Sequence, residues 1–336
     1  MAKVTIYEVS KRAGVGIATV SRVLNTPEKV APHTRDRVLA AIEELGFIPK
    51  LEARTRARKL LGRIGVLTPF LTSASFVDLL NGIRAKLNAQ PYELVIYDAT
   101  TAAQRDAVLT NVVLSAMVDG LIVLHFPLND AAVRRLTAHR LPVVQLTDPD
   151  DDHVAAFSSI VVEQVTSIGR MAADYLLSRG HRRLGFVGDR GVPEFLRDTA
   201  SMKLDGFRQR LAEEGIPLPD AYVGRDDFGM AQAREQARRL LNLPDPPTAI
   251  FAASDTEAIG VLSAARECGL TVPDDLAVMG CDNIEVAEFI GLTTIDTQLK
   301  KRGHLAVEVL LSQIGKDPEP PQRVNVPVSI TRRATA

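Results

Sequence analysis

From residue 64 onward, short apolar runs alternate with amphipathic stretches, and the alternation occurs twice. The first set of runs covers 64–67, 94–97, 121–124 and 143–146. The second covers 184–187, 249–252 and 277–280. Helical periodicity fills 76–89, 167–179, 204–213, 229–241 and 257–268. A run that is apolar at every position is the mark of a parallel strand buried on both faces, and its crossover is a helix. Two such sets predict two doubly wound lobes. Crossings between the lobes are expected near 159–163, 289–292 and 322–324, the last after the Pro-rich stretch 316–321.

Sheets of this kind bind ligands beyond the carboxyl ends of their strands. The polar residues that follow the runs are His125, Thr147, Asp148, Ser254, Asp255, Asp282 and Asn283. Carboxylates and amides there suit vicinal hydroxyls, and phenylalanine rings cover the apolar faces of sugars. Each residue could equally cap the helix that begins at its strand end.

Residues 1–61 read differently. They hold twelve basic and six acidic residues, a net of +6, while the whole chain carries −1. A basic head on an acidic body predicts an anionic partner for the head, most simply nucleic acid. Three apolar stripes lie in it: Ile6, Val9, Ala13; Val20, Val23, Leu24; and Val38, Ile42, Leu45. Gly14-Val15-Gly16 separates the first two, and Pro32 opens the third. Two short helices joined by a glycine-containing turn and backed by a third describe a helix-turn-helix. The second helix turns Ile17, Ala18, Ser21, Arg22 and Asn25 away from its stripe. Small side chains let a helix sink into a major groove, where an Arg grips a guanine edge with two bonds. The hydroxyls of Thr5, Tyr7, Thr19, Ser21 and Thr34 are suitable phosphate ligands. A small helical cap with a solvated Arg is the plainer alternative.

The segments Val4-Thr5-Ile6-Tyr7-Glu8-Val9, Ala13-Gly14-Val15 and Ala18-Thr19-Val20-Ser21-Arg22-Val23-Leu24-Asn25 resemble the head of the lactose/galactose repressor (LacI/GalR) family. So do Thr34–Val38 and Glu44–Pro49. In the body, the resemblance continues through Arg179-Gly180-His181, Ser254–Gly260, Gly280–Ile284 and Leu292–Ile295, so it spans nearly the whole chain. It implies an all-α helix-turn-helix head on an α/β body of two doubly wound parallel-sheet lobes of periplasmic-binding-protein type. The expected divisions are a head over 1–49, a hinge helix over 50–62 and an effector-binding, dimerising body over 63–336. Within the body, one lobe takes 63–160 and 292–322, the other 163–289 and 324–336.

By the resemblance, Ile17, Ala18 and Arg22 read bases, and the hinge, with Arg54 and Arg56, enters the minor groove. Asp255 and Asp282 are expected in or beside the effector site, with Phe76, His125, Asp148 and Ser254. Lys203 stands where most members carry an effector-clasping Arg, and Phe228 where some place an aromatic lid. Departures are visible. Gly16 replaces the usual Ser at the start of the recognition helix, and Arg56 replaces the usual Leu lever. Lys203 lacks the two-pronged geometry of Arg. Ser254 and Thr297 replace a common Asn and Gln.

The implied function is a repressor of carbohydrate-utilisation genes, controlled by a sugar or sugar derivative and bound as a homodimer to a near-palindromic double-stranded operator. Lys203 and the Glu163-Gln164 pair lean towards the catabolite-control branch, whose corepressor is a phosphorylated carrier protein; a nucleoside- or purine-responsive repressor is a further alternative. No leucine heptads follow 324–330, so a dimer is expected rather than a tetramer. Neither a secretory h-region nor a membrane-length apolar run is present, which predicts a cytoplasmic protein without membrane contact. Cys268 and Cys281 make no disulfide framework. The phosphate-loop, dinucleotide and nucleophile-elbow motifs are missing, and no two of the six histidines have helical metal-ligand spacing. No enzyme, cofactor or metal is therefore expected.

Overall fold

The computed structural model describes residues 4–25, 29–45, 47, 60–69, 71–147, 156–162, 165–190, 198–317 and 319–336. Arg54, Arg56, Asp148, Glu163, Gln164 and the side chain of Asn25 lie outside the described residues.

The head is three helices, α1 (Ile6–Ala13), α2 (Ile17–Asn25) and α3 (Pro32–Leu45). The Thr5 N–H donates to Glu8 Oε2 at 2.6 Å and closes the first turn of α1. Gly14, at φ 60°, ends that helix in the left-handed region. Val9, Ala13, Val20, Val23, Leu24, Val38, Ala41 and Ile42 bury one another in a small core. Arg37 locks α3 to α1 by donating to the Ala13 carbonyl at 2.6 Å.

The body begins with β1 (Arg63–Thr68), α4 (Ala74–Leu87), β2 (Glu93–Asp98), α5 (Ala102–Leu114), β3 (Gly120–Leu124), α6 (Asp130–Ala138), β4 (Val143–Thr147) and β5 (Ser158–Val162). It continues through α7 (Val165–Ser178), β6 (Leu184–Asp189), α8 (Thr199–Glu213), β7 (Val223–Asp226), α9 (Met230–Leu241), β8 (Ala249–Ala252), α10 (Asp255–Glu267), β9 (Ala277–Asp282) and α11 (Glu285–Phe289). It closes with β10 (Thr293–Asp296), α12 (Leu299–Gln313), β11 (Arg323–Val326) and β12 (Ser329–Thr331). One sheet runs β11-β5-β4-β3-β1-β2 and the other β12-β10-β9-β8-β6-β7. The first is parallel throughout; in the second, β12 runs antiparallel to β10. The two doubly wound lobes predicted by the alternation are therefore present.

Two crossings fall later than the sequence suggested. Thr293–Asp296 pairs with β9 in the second sheet, so the chain returns to the first lobe after residue 296, not at 289–292. Val324 pairs with Ile160 in the first sheet, and the last crossing lies between β11 and β12, at Pro327. Proline lacks the N–H that a continued ladder needs, so a strand-like run over 324–330 splits between two sheets.

Glycines set the helix contacts. A Cβ on Gly82 of α4 would lie 1.9 Å from the Lys300 carbonyl oxygen of α12. In the second lobe, Gly169 of α7 and Gly206 of α8 approach each other's helices to the same limit, against Lys203 O and Thr166 O. Phe186, Phe207 and Phe251 fill the core between α7, α8 and the sheet.

Candidate functional site

Two regions concentrate exposed or buried polar chemistry. The first is the outer face of α2. Ile17, Ala18 and Arg22 are exposed, with Thr19 and Ser21 half-buried beside them. Tyr7 is exposed on α1, and Thr34 is half-buried on α3. The Thr5 hydroxyl donates to Glu8 Oε2 at 2.9 Å, so it already serves the cap of α1. At Gly16, a Cβ would meet nothing within 4 Å, so the departure from Ser is not a steric demand.

The second region lies at the carboxyl ends of the strands. From the second lobe come Asp189 at the end of β6, Glu257 in the first turn of α10, and Asp282 at the end of β9. Lys203 reaches in from α8, 8% exposed, and its ammonium donates to the Ala253 carbonyl at 2.7 Å. Burial opposes its charge, but the neighbouring acidic groups, Asp282 foremost among those ionised, outweigh that and hold its pKa above the usual value. Burial pushes the Cys281 thiol up to about 12, so the thiol is neutral and the standing counter-charge is carboxylate. Burial, reinforced by Asp189, pushes Glu257 up to about 8. Glu257 also receives the Ser254 hydroxyl at 2.8 Å.

The first lobe contributes His125, held at φ 55° one residue past β3. Loss of water contact, then Arg302, lowers its pKa to about 4, so the imidazole is neutral at neutral pH. Ser75 at the start of α4 donates to Asp282 Oδ2 at 2.8 Å, and Asp78 accepts the Glu285 N–H at 2.9 Å. Lys300 of α12 sits 3.3 Å from the same Asp78 carboxylate. The Ser75–Asp282 and Asp78–Glu285 bonds span the lobes, and a cavity of 350 Å³ lies beside them, lined in part by Asp78, Asn283, Lys300 and Arg333.

The structure thus brings together His125, Lys203 and Asp282. Two expected residues stand elsewhere, and a third serves as a helix cap beside Glu257. Asp255 is 0% exposed and turned into the second lobe, where it accepts the Ile284 N–H at 2.8 Å and the Thr294 hydroxyl at 2.5 Å. It pins the 282–284 loop to β10 instead of facing a ligand. Phe76 is buried in the first lobe's core under α4, because its helix turns that face to the sheet. Ser254 is the N-cap of α10, accepting the Glu257 N–H at 3.2 Å, as the capping alternative allowed. Phe228 follows β7 with 49% of its surface exposed. Asp189, Glu257, Ser75 and Asp78 were missed. Asp189 carries the strand-end signal that singled out Ser254 and Asp282, and Glu257 the Ser-x-x-Glu spacing from Ser254. Among the described residues, no acidic, histidine or cysteine group could hold a metal, and no helix is long and apolar enough to cross a membrane.

The Asp255 carboxyl is pushed up to about 7, chiefly by burial and then by Asp282. A carboxyl whose folded pKa exceeds its unfolded value near 4 binds its proton more tightly when folded. Stability therefore falls as pH rises from about 4 to about 7, and Glu257 acts in the same direction up to about 8. His125, held near 4 when folded, acts in the opposite sense below its unfolded value near 6.5, but the two carboxyls together outweigh it, so the urea midpoint of the intact chain is expected to drop between pH 5 and pH 8. Asp255→Asn should flatten that drop; an unchanged slope would show that Asp255 is ionised throughout.

Residues 5–50 match the model for bacterial regulatory proteins of the lacI family, and residues 173–336 match a periplasmic binding protein-like domain. The HTH-type transcriptional repressor PurR of Escherichia coli is 32% identical over 336 residues, covering 99% of this chain and 97% of that protein. A complex of the transcriptional regulator CelR with cellobiose superposes with a TM-score of 0.70 at 25% identity, over 99% of this chain and 100% of that one. The Lac repressor dimer bound to operator and the anti-inducer ONPF gives 0.67 at 27%, over 99% of both chains.

Proposed function

The chain belongs to the lacI family of bacterial regulatory proteins, and from that premise we propose which of its residues read DNA and which sense the effector. It is a DNA-binding transcriptional repressor with an effector-binding body, and its relatives are regulators, not enzymes. The reading assigned to α2 is carried by one observation: its exposed face presents Ile17, Ala18 and Arg22 while Val20, Val23 and Leu24 are spent on the head's core. Thr19, Ser21, Tyr7 and Thr34 line the same side with hydroxyls for phosphate. Asn25, Arg54 and Arg56 are assigned to DNA from the sequence alone. The divisions into head (1–49), hinge (50–62) and body (63–336) belong to the same proposal, with the lobe limits moved to the observed crossings. The cytoplasm is the proposed compartment, since the operator is there.

For the effector, the proposal is a sugar or sugar derivative held between His125, Lys203 and Asp282, with Glu257 and Asp189 behind them. Support comes from the mixture of neutral imidazole, ammonium and carboxylates at adjoining strand ends, which offers both donors and acceptors to vicinal hydroxyls. The regulator bound to cellobiose shows such a fold holding a sugar. A flat purine or nucleoside is the second reading, favoured by the exposed Phe228 ring available to cover a base.

A thermal-shift panel of cellobiose, ribose, hypoxanthine and guanosine separates the two, since a ligand that binds only the folded state raises the midpoint. Asp282→Ala is expected to weaken binding of the responding compound about 10–100-fold, the cost of leaving polar partners unpaired. Operator binding without effector should persist. A response to no member of the panel, or an Asp282→Ala chain with undiminished response, would remove the cleft assignment.

A further inference from the structure

The head rests on its own first lobe through α3. Glu43, exposed on α3, pairs with Arg135 of α6, and the same guanidinium donates to the Thr110 hydroxyl of α5. Leu114, the last residue of α5, packs against the apolar core of the head. Between these contacts lies a cavity of 320 Å³, bordered by Arg35, Asp36 and Leu39 of the head and by Asp106 and Asn111 of the lobe. Among the described residues the contact includes this ion pair and this apolar touch, with open space between them. That is a separable contact, unlike the closely packed cores on either side of it.

We propose that Glu43 and Arg135 form a dock that holds the head on its lobe in an orientation presenting α2 outward for DNA. Two observations and one general argument carry this. Docking uses α3 and leaves Ile17, Ala18 and Arg22 of α2 exposed, so it is compatible with reading. Arg135 is braced on the lobe by Thr110, so the cation is positioned before the head arrives. A head that swings on a tether gives up orientational freedom when it binds, and a docked one has already given it up. The dock therefore strengthens operator binding without touching DNA. It also weakens as salt rises, because half of the pair faces water. Arg135 is a positioning residue, and the proposal rests on α2 being the reading helix.

The test uses the full chain in a Cys268→Ser background, with a dye on a cysteine placed at exposed Lys11; the other native cysteine, Cys281, is buried. Anisotropy decay reads the tumbling of the head. Affinity is measured on a duplex selected from a random pool by the unaltered chain. Glu43→Gln and Arg135→Glu should each add a fast tumbling component and weaken the duplex about 3–10-fold. The double variant Glu43→Arg, Arg135→Glu should return the slow tumbling of the parent. Glu43→Gln alters only an exposed head residue, so it keeps the test valid even where Arg135→Glu disturbs the lobe. No fast component in Glu43→Gln, tighter binding in either single variant, or a charge swap no slower than the singles would each overturn the dock. Arg22→Ala measured alongside separates the outcomes: if it leaves sequence preference intact, the reading helix is wrong, whatever the dock does.

Discussion

Replacing Arg22 by alanine is expected to cost about 1–3 kcal/mol per half-site and to erase preference at one base pair in each. A dimer carries two copies, so the loss on a full operator is on the order of 2–6 kcal/mol. The geometry behind this is local. Val20, Val23 and Leu24 fix one side of α2 in the head's core, which leaves Arg22 on the opposite, exposed side with Ile17 and Ala18. Small neighbours allow close approach to the groove floor, and a guanidinium then meets two acceptors on one guanine. Selection from duplexes randomised at each half-site position is the measurement. A uniform loss over all sequences, with a shallower salt dependence, would reduce Arg22 to a phosphate contact.

Gly169→Val is expected to destabilise the second lobe by ~3 kcal/mol or more, the upper end of what overpacking does. At this crossing of α7 and α8, the added Cβ would sit 1.9 Å from a backbone oxygen, Lys203 O, and 2.7 Å from Phe207 N. Neither obstacle can turn aside as a side-chain tip would. The helices can only separate, and Phe207 would leave its packing with Phe186 and Phe251. Lys203 rides on the displaced α8, so whatever remains folded should also lose effector affinity. Thermal and urea midpoints decide the stability; Gly180→Ala, where a Cβ meets nothing within 4 Å but φ is 91°, gives the comparison with backbone strain alone.

Much of this architecture could be read from the chain, because its signals are local. The three stripes of the head, the apolar runs of β1, β3 and β8, and that of β4, broken only by Gln145, each encode their burial within a few residues. The strands β5 and β10 do not. Ser158, Ser159, Thr293 and Thr294 are all buried, and a serine or threonine run reads as surface. Partners far along the chain make several of these hydroxyls tolerable: Gln322 N–H and Gln313 Nε2 donate to Ser158, and Thr294 donates to Asp255. The same limit applies in the cleft. Ser254 and Asp255 are adjacent in sequence, yet one side chain closes the helix cap while the other is buried behind the 282–284 loop. Gly280 makes the space for Asp255, since a Cβ there would lie 2.3 Å from Oδ1. No periodicity reports such a fit. Ser75 and Asp78 belong to the other lobe, and only the closed arrangement sets them against Asp282 and Glu285.

The strand order of the first sheet has a consequence for a newly made copy. β11 borders β5, and α12 covers α4, but both are synthesised only after all of the second lobe except β12. Until then the apolar side of the first lobe that later meets Ala306, Val307 and Leu310 is uncovered. Domains generally fold in the order in which they leave the ribosome. Here the earlier lobe must wait for the later one, and the head, which is finished first of all, has no completed surface to rest on. A copy still being translated therefore holds a DNA-reading module before it has a closed sensor. The last two strands, one added to each sheet, therefore complete the two lobes almost together.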